Sequence, residues 1–119
     1  MGHRIARIQS ELERILGDFF LKEGRGFGIG MVSVNGILVS SDLSQAKVLV
    51  SFIGEQYPEA AFKRLIKCSR DIQTFVFRRL QIRKVPKLVF ELDRDPAGAY
   101  RMDQLLDDID RPKNKDSNV

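Results

Sequence analysis

Lysine and arginine side chains crowd into one stretch of this 119-residue chain, between residues 57 and 92. That stretch holds nine Lys or Arg against three Asp or Glu, whereas residues 1–56 carry six of each and residues 93–119 carry five against seven. Cationic side chains at this density attract polyanions, and phosphates in particular. The pattern therefore favours nucleic-acid binding, and a solvated helix face is the competing interpretation.

The sequence contains few residues suited to catalysis or to metal binding. Cys68 is the only cysteine and His3 the only histidine, so an internal disulfide and a thiolate zinc site are both excluded. Cys68 has no second histidine that could activate it, and the acids of residues 103–110 lack the other ligands of a metal or acid–base site. We expect no enzyme activity, no metal and no cofactor.

The composition and length of the chain limit the class of protein to which it can belong. No apolar run approaches the roughly 20 residues that span a bilayer, and the N-terminus lacks a signal-peptide core. We therefore expect a cytoplasmic protein with no membrane partner and no small-molecule substrate. Its length suits one domain, which we place over residues 1–109 and follow with a disordered polar tail over 110–119. Nothing in the sequence requires more than a monomer.

Helical periodicity occurs twice. The first apolar stripe predicts a helix over residues 4–20, formed by Ile5, Ile8, Leu12, Ile15, Leu16 and Phe19. The second stripe runs from Pro58 towards Pro86 and loses its phase around residues 68–70, which predicts two helices or one kinked helix. We expect this helical stretch to stop at Val85, because the residue before proline favours extended geometry.

Strand patterns occur at residues 31–39, 46–52 and 87–92. Within the first, Asn35-Gly36 is compatible with a two-residue hairpin or with a bulge in one long strand, and the sequence leaves both open. Residues 24–30 are glycine-rich and predict a flexible connection, because their spacing does not fit a phosphate-binding loop. A short helix is expected over 100–109.

The resulting order is α-β-β-α(kink)α-β. Two helices between the second and third strands can pack on one face of a three-stranded sheet, beside the first helix. We therefore predict an α+β, type II KH-like domain.

Phosphate-binding side chains should follow the bent helix, assisted by two arginines of the first helix. The candidate RNA-binding residues are Arg4, Arg7, Lys63, Lys67, Ser69, Arg70, Arg78, Arg79, Arg83 and Lys84. Free backbone N–H groups at the bend near Ser69 could receive a phosphate, although a packing kink explains the bend equally well. Most phenylalanines fall on apolar stripes, so we expect recognition of backbone and shape.

Three segments resemble the bacterial ribosome-binding factor A proteins. They are VSSDLSQAKVLVSF (39–52), CSRDIQTFVFRRLQIRKVPKLVFELD (68–93) and RMDQLL (101–106). The second contains the pattern Arg-x-x-Pro-x-Leu-x-Phe at Arg83, Pro86, Leu88 and Phe90. The resemblance covers roughly residues 3–108 and is specific through the combination of motifs.

The resemblance implies a KH-like domain without the usual Gly-x-x-Gly loop and without catalytic activity. It implies binding to the small (30S) ribosomal subunit and to 16S ribosomal RNA, and assistance in late maturation and rRNA 5′-end processing, notably in the cold. Cys68 and Arg70 stand where the family has Ala and Gly at its kink, and Gln73 replaces a common Arg. The residues alone also permit a general single-stranded nucleic-acid-binding module, or a protein-interaction adaptor with an acidic partner.

Overall fold

The computed structural model describes residues 2–94, with side chains from Arg4 onward. The elements are α1 (Gly2–Glu23), β1 (Val32–Val39), β2 (Gln45–Phe52), α2 (Pro58–Lys67), α3 (Ser69–Arg79) and β3 (Lys87–Leu92). Their order confirms the predicted one. The helix expected over 100–109 and the tail expected over 110–119 lie outside the described residues. Within 2–94, no helix combines the length and apolarity needed to cross a membrane.

The sheet has the order β1-β2-β3, with β1 antiparallel and β3 parallel to the central strand. A parallel pair needs a long crossover, which α2 and α3 supply. Alternate residues of β2 point at the helices, and Val48 and Val50 are fully buried against them. Leu65 of α2 and Ile72 of α3 are equally buried, so the helices and one sheet face share a single core.

Helix α1 carries the longest apolar stripe and lies along β1. Leu12 and Leu16, four residues apart on one face, are both fully buried. The Gln9 side chain also contacts β1, because its Oε1 accepts a hydrogen bond from the Val39 backbone N–H at 2.9 Å. The start of α1 is thereby fixed relative to the sheet.

The glycine-rich loop after α1 is more closely held than its composition suggests. The Gly24 N–H donates to the Phe20 carbonyl at 3.1 Å, and the Gly24 carbonyl accepts from the Ile29 N–H at 3.0 Å. Ile29 is buried in the core. A Cβ on Gly24 would lie 2.5 Å and 2.6 Å from two backbone oxygens. Glycine is therefore required at position 24 by close approach of the backbone.

The bulge interpretation of Asn35-Gly36 is correct. The β1–β2 register passes from Val34 opposite Val50 to Gly36 opposite Leu49, which leaves Asn35 as the extra residue. Its Nδ2 donates to Asp93 Oδ2 at 2.7 Å and to Ser51 Oγ at 3.1 Å. The bulge thus links β1, across β2, to the residue that follows β3.

The prediction that helix continues to Val85 is wrong, because α3 ends at Arg79. Leu80 has φ −89° and ψ 98°, which is extended geometry. Leu80 is buried, and Val85 packs against the same core, so apolar burial holds this connection to β3 in a non-helical path. Arg83 and Lys84, which we placed on the helix, therefore lie in the loop between α3 and β3.

Gln73 joins α3 to the start of β3. Its Nε2 donates to the Pro86 carbonyl at 3.0 Å, and its Oε1 accepts from the Leu88 N–H at 2.9 Å. The side chain is half-buried. Position 73 in this chain is thus occupied by a structural amide and not by a cation.

Candidate nucleic-acid interface

Three arginines from two distant parts of the chain meet at one groove. A cavity of about 720 Å³ lies between the start of α1 and the end of α3, and both Arg4 and Arg7 line it from α1. Arg79 lines it from α3, beside Leu80 and Ile82 of the following loop. Guanidinium groups are planar multiple donors whose geometry matches phosphate oxygens. We refer to this site, with Arg4, Arg7 and Arg79, as the arginine groove.

The Arg79 side chain is oriented by aromatic rings. Its guanidinium carbon lies 3.6 Å from the centroid of the Phe75 ring, which is a cation–π contact. The Phe75 ring packs edge-on against Phe19 of α1, with centroids 4.9 Å apart. The packing of α1 on α3 therefore fixes where the Arg79 charge is presented.

The arginine groove also contains an acid, Glu11, whose carboxylate is paired with Arg14. Glu11 Oε1 accepts a hydrogen bond from Arg14 Nη2 at 2.8 Å on the exposed side of α1. This hydrogen bond and the Glu11 charge raise the pKa of Arg14. Because Arg14 partly neutralises Glu11, the groove keeps a net attraction for anions.

A second group of cations follows α2 and α3. Lys63, Lys67, Arg70 and Arg78 are all exposed, and none forms an ion pair with another residue in the described range. Unpaired, solvated cations on a helix surface can exchange counterions for phosphates at little cost. These four residues extend the positive surface away from the arginine groove.

Arg64, on the same helix, has a different role. Its Nε donates to the Gly28 carbonyl at 2.7 Å, and its Nη2 lies 3.8 Å from Glu55 Oε1. The side chain therefore holds α2 to the loop after α1. Its omission from the candidate residues agrees with these contacts.

The bend between α2 and α3 is centred on Cys68. This residue has φ −95° and ψ 4°, and its backbone N–H donates to the Leu65 carbonyl. Arg70 lies inside α3, and the one non-glycine residue with positive φ in the described part of the chain is Leu43. The kink therefore forms without a left-handed residue, which explains how Arg is accommodated at position 70.

Cys68 and Ser69 have little chemistry of their own at this bend. Burial, with a smaller effect from the Asp71 charge, raises the pKa of the Cys68 thiol, so it stays protonated and unreactive. Ser69 is the half-buried first residue of α3, and no side-chain hydrogen bond caps this helix. No group of three or more His, Cys, Asp or Glu within residues 2–94 could hold a metal ion.

Lys84 is drawn away from the helical surface. Its Nζ donates to the Asp42 carbonyl at 3.3 Å, in the turn between β1 and β2. The Asp42 carboxylate accepts hydrogen bonds from the Ser44 hydroxyl, the Ser44 N–H and the Ser40 hydroxyl, which lower its pKa from 3.8 to about 2. A carboxylate that stays charged beside Lys84 weakens its attraction for phosphate. Arg83 remains exposed in the same loop.

One exposed aromatic residue was missed by the sequence interpretation. Phe77 is 65% exposed on α3, and the sequence interpretation gave this residue no role. The signal was available, because Ile72 and Val76 define the buried stripe of α3 and Phe77 lies about 100° from Val76 around the helix.

A family model described as ribosome-binding factor A matches residues 4–106 of the chain. The chain belongs to the ribosome-binding factor A family. The crystal structure of ribosome-binding factor A from Thermus thermophilus is similar to it at 26% identity and a TM-score of 0.60, over 74% of this chain and 93% of that protein. The shared fold confirms the predicted type II KH-like arrangement.

Two further structures are similar. A homology model of Thermus thermophilus ribosome-binding factor A, fitted into a cryo-electron-microscopy map of a 30S–RbfA complex, is 26% identical with a TM-score of 0.58 and covers 73% of this chain and 92% of that one. A Thermotoga maritima protein solved by NMR in solution is 20% identical with a TM-score of 0.62, over 85% of this chain and 97% of that one. The latter likeness concerns the fold alone.

Proposed function

We propose that this member of the ribosome-binding factor A family binds the free small ribosomal subunit through 16S rRNA. Its role is non-catalytic, and it assists late maturation and rRNA 5′-end processing, with most effect in the cold. Support comes from the family assignment and from the Thermus thermophilus relative, which has been placed in a 30S complex. The protein acts as a cytoplasmic monomer and needs no cofactor.

The convergence of Arg4, Arg7 and Arg79 is the observation that carries this proposal. Three guanidinium groups from separate elements converge on one concave site, where a phosphate backbone can contact all three. Lys63, Lys67, Arg70, Arg78 and Arg83 extend the same contact along α2, α3 and the loop before β3. Ser69 contributes at the bend and Lys84 at the edge. Contacts to phosphates supply affinity, and the folded shape of immature rRNA supplies selectivity.

Co-sedimentation with purified small subunits, large subunits and complete ribosomes across a salt series tests the proposal. We expect salt-sensitive retention on small subunits, competed by free 16S rRNA. A groove variant (Arg4→Ala, Arg7→Ala, Arg79→Ala) should lose retention. A control variant that removes the same charge elsewhere (Lys22→Ala, Arg25→Ala, Lys87→Ala) should keep it.

Other outcomes would assign a different function. Equal binding to every RNA would indicate a general single-stranded nucleic-acid-binding module. Failure to bind any subunit at low salt, together with capture of an acidic protein that RNA cannot displace, would indicate a protein-interaction adaptor. The maturation step is tested separately, because depletion of the protein at low temperature should cause 5′-extended 16S rRNA to accumulate.

A further inference from the structure

Phe77 is the one phenylalanine of this chain whose ring is left exposed. The sequence contains eight phenylalanines, all within the described range, and the other seven are buried or half-buried. Phe77 is 65% exposed near the C-terminal end of α3, between the cations Arg70 and Arg78 in the chain. An aromatic ring in water contributes nothing to the core, so packing does not account for it.

The neighbours of Phe77 are polar and cationic. With about 100° per residue, Arg70 lies about 20° from Phe77 around the α3 axis and Thr74 about 60°. Both are exposed, as is Arg78, the next residue in the chain. Neither arginine forms an ion pair within residues 4–94. The ring therefore projects beside two cations that attract phosphates.

The acids of α3 and α1 lie on another side of the helix. Asp71 is about 120° from Phe77 around the axis. It lines a cavity of about 330 Å³ with Glu23 and Arg78. Arg78, about 100° from Phe77 on that same side, lies between Asp71 and an anionic strand that follows Arg70 and Phe77.

We propose that Phe77 is a stacking platform for an unpaired RNA base, with the neighbouring phosphates held by Arg70 and Arg78. A ring flanked by cations suits single-stranded RNA, because every base has a π-face and the backbone carries the charge that the arginines bind. A duplex keeps its bases stacked internally and offers no such face. The inference rests on the proposed rRNA binding and deepens it, since it specifies a single-stranded segment on α3.

The affinity test compares Phe77→Ala with the wild-type protein on three RNAs of one sequence. These are a single strand, the same strand with an abasic site at each position in turn, and the duplex. Phe77→Ala should weaken binding to the single strand by about 5- to 150-fold and leave duplex affinity nearly unchanged. One abasic position should weaken the wild-type protein and have no further effect on Phe77→Ala.

A spectroscopic test reports stacking directly. The chain contains no tryptophan, so Phe77→Trp introduces a single indole at this site. Its emission should be quenched by the single strand and not by the duplex. Leu21→Trp is the matched control, because Leu21 is 81% exposed at the far end of α1 and its indole should be unaffected. Circular dichroism of each variant checks that the fold is intact.

The outcomes separate this inference from the proposed function. If wild type and Phe77→Ala bind small subunits and all three RNAs alike, the stacking site is refuted while the proposed function stands. Equal losses on single strand and duplex would also refute stacking. If an acidic apolar peptide requires Phe77 and RNA does not, the surface is a protein-docking site. Absence of any RNA or subunit binding by wild type would refute both.

Discussion

The arginine groove makes a quantitative prediction about salt. Each phosphate that an arginine neutralises adds about 0.7 to 0.9 to the slope of log K against log salt, depending on whether the RNA is single-stranded or duplex. Arg4, Arg7 and Arg79 all line the groove, so removing them should make the slope less negative by about 2 to 3. The change should appear on small subunits and on free 16S rRNA.

The same figure predicts how affinities converge at high salt. Raising the salt from about 50 to about 200 mM weakens binding of both proteins. Because three contacts are missing, the affinity of the groove variant should fall about 18- to 42-fold less than that of the wild type. The groove variant should therefore bind far more weakly than the wild type at low salt and differ less at high salt. Fluorescence anisotropy with labelled 16S fragments measures both quantities.

The control variant has the same net charge as the groove variant but keeps the groove. Its slope should stay within about 1 of the wild-type slope, because Lys22, Arg25 and Lys87 lie outside the groove. A groove variant whose affinity falls with no change in slope would show that the three guanidinium groups do not contact phosphates. Equal salt slopes for the groove and control variants would show that only the overall charge matters, and not the position of the arginines.

Three further predictions concern stability. Gly24→Ala should destabilise the fold by about 1–3 kcal/mol, because the added Cβ would clash with two backbone oxygens. Gly26→Ala should be neutral or slightly stabilising, because the atom nearest to its added Cβ would be 3.6 Å away. Urea unfolding of the two variants compares their stabilities. Gln73→Ala should cost about 1–3 kcal/mol by unpairing two backbone groups near β3, and a melting temperature that is unchanged would contradict this. Asp42 has a pKa of about 2 in the folded protein against 3.8 in the unfolded chain. Its charged carboxylate therefore stabilises the folded state above about pH 4, and this stabilisation is lost as the pH falls towards 2. In Asp42→Asn, the melting temperature should depend less on pH over that range.

The local pattern of apolar and polar residues was sufficient to predict the helices and strands and their order. The lost phase around Cys68 located the kink, because a change of buried face is visible in the spacing of apolar residues. The end of α3 was not visible, because nothing in the sequence near Leu80 breaks a helix and the chain leaves it to reach β3. Asn35 was ambiguous for a similar reason, since the bulge is held by Asp93, 58 residues away.

The candidate site, like the fold, could be predicted from the sequence only in part. The charge density of the sequence indicated the cationic helices directly, and Arg4 and Arg7 were predicted to assist them from the first helix. Their meeting with Arg79 depends on how α1 packs on α3 through Phe75, which is a tertiary contact. The position of Lys84 could not be predicted either, because its hydrogen-bond partner is the backbone of a turn 42 residues earlier.

The two glutamine side chains that bond to strands have a consequence for solubility. β1 and β3 are the outer strands of the sheet, and their unpaired N–H groups are templates for pairing with a strand of another chain. Gln9 occupies the Val39 N–H of β1, and Gln73 occupies the Leu88 N–H of β3. An incoming strand would have to break one of these hydrogen bonds at either edge. The helices that carry the candidate RNA-binding cations thus also oppose pairing of the sheet edges with strands of other chains.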